Sequence, residues 1–359
     1  GEITETYGTA TGQGDRGADY YGLTDNAPAS NSIFSQIAGQ LTSIAGGTSN
    51  FKFSTSLSEL RQAAADSEQR RQQKLLQDAG LGFASDGFAN RTLDLRQGWD
   101  VWVEGHISKY NEGLGGYDRD GDFRILYVGA DYPIAPGVLL GALVQVDDTR
   151  EDVDNVGLTG EVDGTGWMAG PYLGIRLADN LFFDARAAYG TSNNDIWLDD
   201  AIVGFRTASF DTDRWLATAT LTGNQYFGNF RLSPQFGFAY GEEWYDDYRN
   251  TIGQLIEGRD IGIARLNATL EVGYRFDLAD GTIIEPHVSI AGLVNFAGDD
   301  LIIDGAVVDA TGSRAKVEGG IIIQSPAGYA IRAAASYDGI GEDDFEAYSG
   351  SLWLNVPLN

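Results

Sequence analysis

The chain has no cysteine, one methionine, two histidines and eight prolines in 359 residues. Without cysteine it can form neither disulfides nor thiolate metal sites, a usage compatible with an oxidising compartment where stray thiols are a liability. Basic residues are also scarce. Lys and Arg number 24 against 52 Asp and Glu, a formal charge of -28, which argues against nucleic acid as a partner because phosphate contacts need clustered cations. No run reaches the roughly 18 to 20 apolar residues of a membrane-spanning helix, and mean hydropathy is -0.21. A membrane β-barrel gives the same profile, because its strands alternate lipid-facing and lumen-facing residues. The chain starts at Gly1 without an export signal, as expected of a mature or trimmed form.

Glycine and aromatics are what the sequence has in quantity: 48 Gly, 17 Tyr, 17 Phe and 7 Trp, a mix suited to many strands joined by tight turns. Residues 1–55 are rich in Gly, Ser and Thr with no sustained period, and read as a linker or short surface extension. Residues 56–80 read as a helix, opened by a capping box at Ser56 and Glu59 and closed at Gly80. That helix has almost no apolar stripe. Residues 81–97 form a connector, and strands begin near Gly98.

About twelve strand segments follow, an even number as a closed single-chain barrel requires. Several alternate cleanly: Leu266, Leu270 and Val272 oppose Arg265, Glu271 and Arg275, while Val288 and Ile290 oppose Glu285, His287 and Ser289. Arg314, Lys316 and Glu318 share one face of another strand, and Asp184, Arg186 and Arg332 fall mid-strand among small residues. Short turns at PIAPG, LADN, FGN, LADGT and SPAG alternate with longer acidic loops expected at 111–121, 149–163, 193–207, 245–259, 298–311 and 339–343. A soluble sandwich or propeller has no reason to gather its short turns on one side. An outer-membrane barrel does.

Catalysis finds little support. His287 and Ser289 have the spacing of the outer-membrane phospholipase pair, but the Asn-Gly that follows Ser in that pattern is replaced by Ile290 and Ala291. His106 shares a face with Glu104 and Ser108, yet two histidines without ligand spacing make no zinc motif, so a wet lumen residue is the expectation. Acidic pairs at Asp147-Asp148, Glu242-Glu243, Asp246-Asp247, Asp299-Asp300 and Asp343-Asp344 lack the spacing of a calcium loop. They are expected to be solvated loop charge, bridged by divalent cations to lipopolysaccharide phosphates. No catalytic, metal or cofactor residues are assigned.

Taken together, GWDVWVEGHISKY, LYVGADYPIAPGVLLGALVQVD with Gly129 and Asp131, GWMAGPYLGIRLADNLFFDARAAYG, LSPQFGFAYGEEWYDDY and IIEPHVSIAGLVNF resemble, in order and spacing, the autotransporter β-domain. The resemblance runs from Gly98 to the C-terminus. It implies a twelve-stranded antiparallel barrel in the outer membrane of a Gram-negative bacterium, with an N-terminal helix in the lumen. It further implies type V secretion: a non-enzymatic translocator or anchor for its own N-terminal passenger, folded by the outer-membrane assembly machinery. Members end in an aromatic residue read by that machinery. Here Leu358 and Asn359 stand in its place, with Trp353 and Leu354 keeping part of the signal. Residues 57–79 contain no Asn, so self-cleavage at an Asn-Asn pair is not expected.

The resemblance gives the polar helix a home. Its residues 57–79 would span roughly 34 Å, close to a bilayer's hydrocarbon thickness. Arg61, Arg70, Arg71 and Lys74 would meet lumen carboxylates, and Glu59, Asp66 and Glu68 lumen arginines. Lumen-facing positions are then Glu104, His106, Arg186, Arg265, Glu271, Arg275, Glu285, His287, Arg314, Lys316, Glu318 and Arg332. A channel plugged by the helix and an adhesin acting through the acidic loops are the alternative readings.

Overall fold

The computed structural model describes residues 99–357, less 115–116, 136, 156, 179, 202–203, 257, 299–300, 304–305, 309–311, 328 and 344. The expected linker, lumen helix and connector lie outside the described residues, as do Leu358, Asn359, Asp299, Asp300 and Asp344.

Twelve long strands form the wall: β1 (Asp100–Leu114), β2 (Tyr117–Ala135), β3 (Val138–Asn155), β4 (Leu158–Ala178), β5 (Leu181–Asp200) and β6 (Gly204–Gly223). They continue as β7 (Phe230–Tyr245), β8 (Arg259–Tyr274), β9 (Ile283–Gly298), β10 (Gly312–Gln324), β11 (Ala330–Ile340) and β12 (Phe345–Pro357). Each pairs antiparallel with its neighbours in sequence, and β1 closes onto β12 from Asp100↔Pro357 to Glu112↔Phe345. Closure removes the sheet edges, so every strand has a hydrogen-bonding partner on both sides, as a bilayer demands.

Along the lower part of the wall the faces are inverted relative to a water-soluble barrel. Val103, Ile107, Leu126, Val144, Leu266, Val288 and Ile290 point outward and are exposed, whereas Glu104, Glu271, Glu285 and Arg332 point inward and are buried. Two aromatic belts bound the apolar band. Trp99 and Tyr132 (ring centroids 5.5 Å) and Phe230 and Tyr274 (4.8 Å) lie on the short-turn side. Tyr189 and Trp244 (6.3 Å) and Trp215 and Tyr240 (5.0 Å) lie on the other. From Phe230 to Tyr240, about ten steps of ~3.3 Å at ~40° tilt cover ~25 Å, the height of an outer-membrane apolar band.

The acidic side departs from the sequence expectation. Of the segments 111–121, 149–163 and 193–207, expected as loops, residues 111–114, 117–121, 149–155, 158–163, 193–200 and 204–207 are strand: β1–β6 are 15 to 21 residues long, well beyond the roughly 9 to 11 needed to cross a bilayer. Above the band the alternation changes phase. Asp152 and Asp154 face out while Val153 is buried between them, and Leu158, Val162, Ile196, Leu198 and Phe210 are likewise buried. Water on the outside favours polar residues there, so the apolar face turns inward once the wall leaves lipid. Phe210, Tyr245 and Tyr248 pack together in this upper storey, with Phe210 and Tyr248 stacked at 4.7 Å. Short ribbons, Tyr248–Arg249 with Leu255–Ile256 and Leu301–Ile303 with Ala306–Val308, decorate the same side.

Candidate functional site: the charged lumen

The inner wall is built by alternation: every second residue of a strand points into the barrel, and paired strands bring those residues level. Near the base, β7, β8, β9, β10 and β11 contribute one connected series of charges. Arg231 Nη2 lies 2.6 Å from Glu285 and 2.7 Å from Glu271. Arg332 Nη2 donates to Glu271 Oε2 at 2.9 Å and stands 3.3 Å from Glu318. The order Glu285, Arg231, Glu271, Arg332, Glu318 alternates in sign, and all five side chains are buried. Buried ions of this kind persist only when each is paired, because unpaired desolvation costs several kcal/mol per ion.

Three further clusters rise toward the acidic side. Arg314 Nε donates to Asp338 at 2.8 Å, and Arg265 Nε to Asn295 at 2.7 Å. Arg214 Nη2 donates to both oxygens of Asp147, at 2.7 and 2.6 Å, with Glu243 accepting from Thr212 on neighbouring strands. Uppermost, Arg119 donates to Glu151 at 2.8 Å and to Glu112 at 2.6 Å, and the Tyr110 hydroxyl donates to Glu151. Lys109 and Asp122, next to this cluster on the outer face, form an ion pair at 3.1 Å, so this level lies above the apolar band. Burial, reinforced by Glu151, pushes the Tyr110 phenol well above its ordinary pKa. For Arg119 burial opposes the charge, but Glu151 and Glu112 outweigh it and hold the guanidinium charged.

An aromatic relay sits beside the base. Trp102 Nε1 donates to the Tyr172 hydroxyl at 2.7 Å, which donates to Asp131 at 2.6 Å. Gly129 and Asp131 thereby acquire separate roles: a Cβ at Gly129 would stand 2.1 Å from the Trp102 ring, so only Gly admits the indole, and Asp131 accepts from the Tyr172 hydroxyl.

Glu104, His106, Arg186, Arg265, Glu271, Glu285, His287, Lys316, Glu318 and Arg332 are all buried, with Arg186 5.4 Å from the Tyr127 ring centre. Arg275 lies past the end of β8, paired with exposed Asp277 at 2.9 Å, at the rim rather than in the ladder. Trp353 points inward opposite Glu104 and Arg332, while Leu354 faces out. Among the described residues neither ring nitrogen of His287 has a hydrogen-bond partner, so His287 and Ser289 are not hydrogen-bonded to each other. The acidic pairs differ from expectation. Asp147 and Glu243 are buried and bonded within the lumen, while Asp148 faces out, because these dipeptides lie in strands and alternate. Sequence reasoning missed Arg231, Arg214 and Arg119, although Arg231 shares its face with Ser233 and Gln235, a signal that alternation carries.

The family model for the autotransporter β-domain matches residues 101–356. Among solved structures, the β-domain of the Bordetella autotransporter BrkA superposes with a TM-score of 0.59 at 16% identity, covering 73% of this chain and 100% of that one. The translocator domain of NalP from Neisseria meningitidis gives 0.57 at 14%, covering 82% and 97%. The transport unit of AIDA-I from Escherichia coli gives 0.56 at 14%, covering 76% and 92%. The uncharacterized protein YaiT of Salmonella typhimurium is 22% identical over 250 residues, 68% of this chain and 25% of its own length. The chain thus spans about a quarter of the curated relatives it matches.

Proposed function

The chain belongs to the autotransporter β-domain family, the outer-membrane translocator barrels of type V secretion, and on that premise we propose that its charged lumen receives the segment preceding β1. The barrel is then the conduit and surface anchor for whatever the protein carries at its N-terminus, and residues 56–80 are the element held in the pore. The alternating series Glu285, Arg231, Glu271, Arg332 and Glu318 carries this reading, because a helix polar on all sides needs partners of both signs around it. Arg61, Arg70, Arg71 and Lys74 would face the carboxylates, and Glu59, Asp66 and Glu68 the arginines. Trp353 and Leu354, with Leu358 and Asn359, are proposed to serve the outer-membrane assembly machinery. Exposed carboxylates above the band are proposed to meet lipopolysaccharide through divalent cations.

Planar-bilayer conductance tests the lumen placement. The full chain should conduct poorly and a variant lacking residues 51–80 strongly. Equal conductance of the two would remove the segment from the pore.

A further inference from the structure

We propose that Glu271, His287 and Glu318 form a divalent transition-metal site in the lumen wall, with Zn²⁺ the ion its donor set suits best. One ligand atom from each of the three lies within 4.8 Å of the other two, and all three side chains are buried. Strand register brings them together. His287 on β9 is level with Gly273 on β8 and Gly320 on β10, and Glu271 and Glu318 stand one inward position higher, both level with Ser289. The imidazole is therefore diagonal to a carboxylate on either side, a separation that long side chains close.

His287 points independently to a ligand. It is 6% exposed, and among the described residues both its Nδ1 and Nε2 lack a hydrogen-bond partner. A buried ring with two unsatisfied nitrogens costs free energy, and a cation bound at one of them would recover part of it. The ring lies over Gly320, where a Cβ would come within 2.7 Å of Cε1 and Nε2, so only glycine leaves it this seat. Its carboxylate neighbours are oriented by Arg231 and Arg332, as ligands are steadied by outer hydrogen bonds.

Charge favours a cation despite the arginines. The series at the base holds three carboxylates, Glu271, Glu285 and Glu318, against two guanidiniums, Arg231 and Arg332, which leaves one negative charge in excess. Each carboxylate oxygen has two lone pairs, so one oxygen can accept from an arginine and still bind a metal. Imidazole nitrogen beside carboxylate oxygen selects zinc or a neighbouring first-row ion over Ca²⁺ and Mg²⁺, which prefer all-oxygen sets. Bound there, the ion would tie β8, β9 and β10 together on the lumen side.

The full chain, folded in detergent, stripped with chelator and verified by heat-modifiable gel mobility, is titrated with Zn²⁺ against a chromogenic chelator. We expect one saturable site that excess Ca²⁺ does not displace, weakened about tenfold or more by His287→Ala and by Glu318→Gln. His106→Ala should leave it unchanged. No saturable Zn²⁺ uptake, full displacement by Ca²⁺, equal affinity in His287→Ala, or loss in His106→Ala would each overturn the proposal. Should His287→Ala not fold, His287→Gln and the wild-type Co²⁺ spectrum decide. Ligand-field bands from nitrogen-bound Co²⁺ support the site, and their absence refutes it.

Discussion

Replacing Glu271 with Gln keeps the shape of the side chain and removes its charge. Glu271 is fully buried between Arg231 at 2.7 Å and Arg332 at 2.9 Å, whose side chains are 2% and 10% exposed. Removing one partner of a buried pair costs about 3–5 kcal/mol, because the other charge is left desolvated. Here each arginine keeps a second carboxylate, Glu285 for Arg231 and Glu318 for Arg332. The expected loss therefore sits at the lower end, about 3 kcal/mol. Equilibrium urea unfolding in phospholipid vesicles, followed by tryptophan fluorescence with the folded fraction checked by gel mobility, measures it. The control is Asp148→Asn, whose outward partner Arg124 is 3.6 Å away with both side chains more than half exposed. It should match the wild type, since solvated pairs contribute little. A Glu271→Gln loss below about 1 kcal/mol would refute the view that the lumen ladder is a desolvated, mutually dependent network.

Gly129→Val would drive the Trp102 indole out of its seat, at a cost of about 1–3 kcal/mol or more; Gly105→Ala, where a Cβ meets nothing within 4 Å, should be silent in the same unfolding assay. Tyr172→Phe removes the hydroxyl that accepts from Trp102 and donates to Asp131, and should cost about 1–3 kcal/mol by deleting two buried hydrogen bonds, one of them to a carboxylate. Tyr110 has its phenol pKa raised by burial and by Glu151, so it binds its proton more tightly folded than unfolded. Its contribution is full below the unfolded pKa of about 10 and is lost as pH rises toward the folded value. Stability should therefore fall above about pH 10, and Tyr110→Phe should flatten that decline; an unchanged alkaline profile would contradict the assignment.

Alternation made the wall legible. Residues 265–272 and 284–290 separate into an apolar and a polar set in sequence, and the same sets face lipid and lumen, because a strand in a bilayer has opposite solvents on its two faces. The upper storey was not legible in the same way. At residues 152–163 the outward residues are Asp152, Asp154, Thr159, Glu161 and Asp163 while Val153, Leu158 and Val162 point inward, so a search for the lipid-phase pattern stops where the bilayer stops. Hydrogen bonding continues regardless, from Asp148↔Thr165 to Asn155↔Leu158. The ladder's partners were hidden for another reason. Arg231 on β7 reaches Glu285 on β9 across 54 positions of sequence, and Arg332 on β11 reaches Glu271 on β8 across 61, so long side chains reaching past the intervening strands of the closed wall make such groups neighbours. The same applies to Glu271, His287 and Glu318, one on each of three strands, which no ligand-spacing motif connects.

Surface display tests the central claim most directly. A reporter fused ahead of Gly1 behind an export signal should be removed by protease added to intact cells, while the barrel from β1 to β12 stays folded and heat-modifiable. A reporter that remains protected inside the cells carrying a correctly folded barrel would contradict the translocator account.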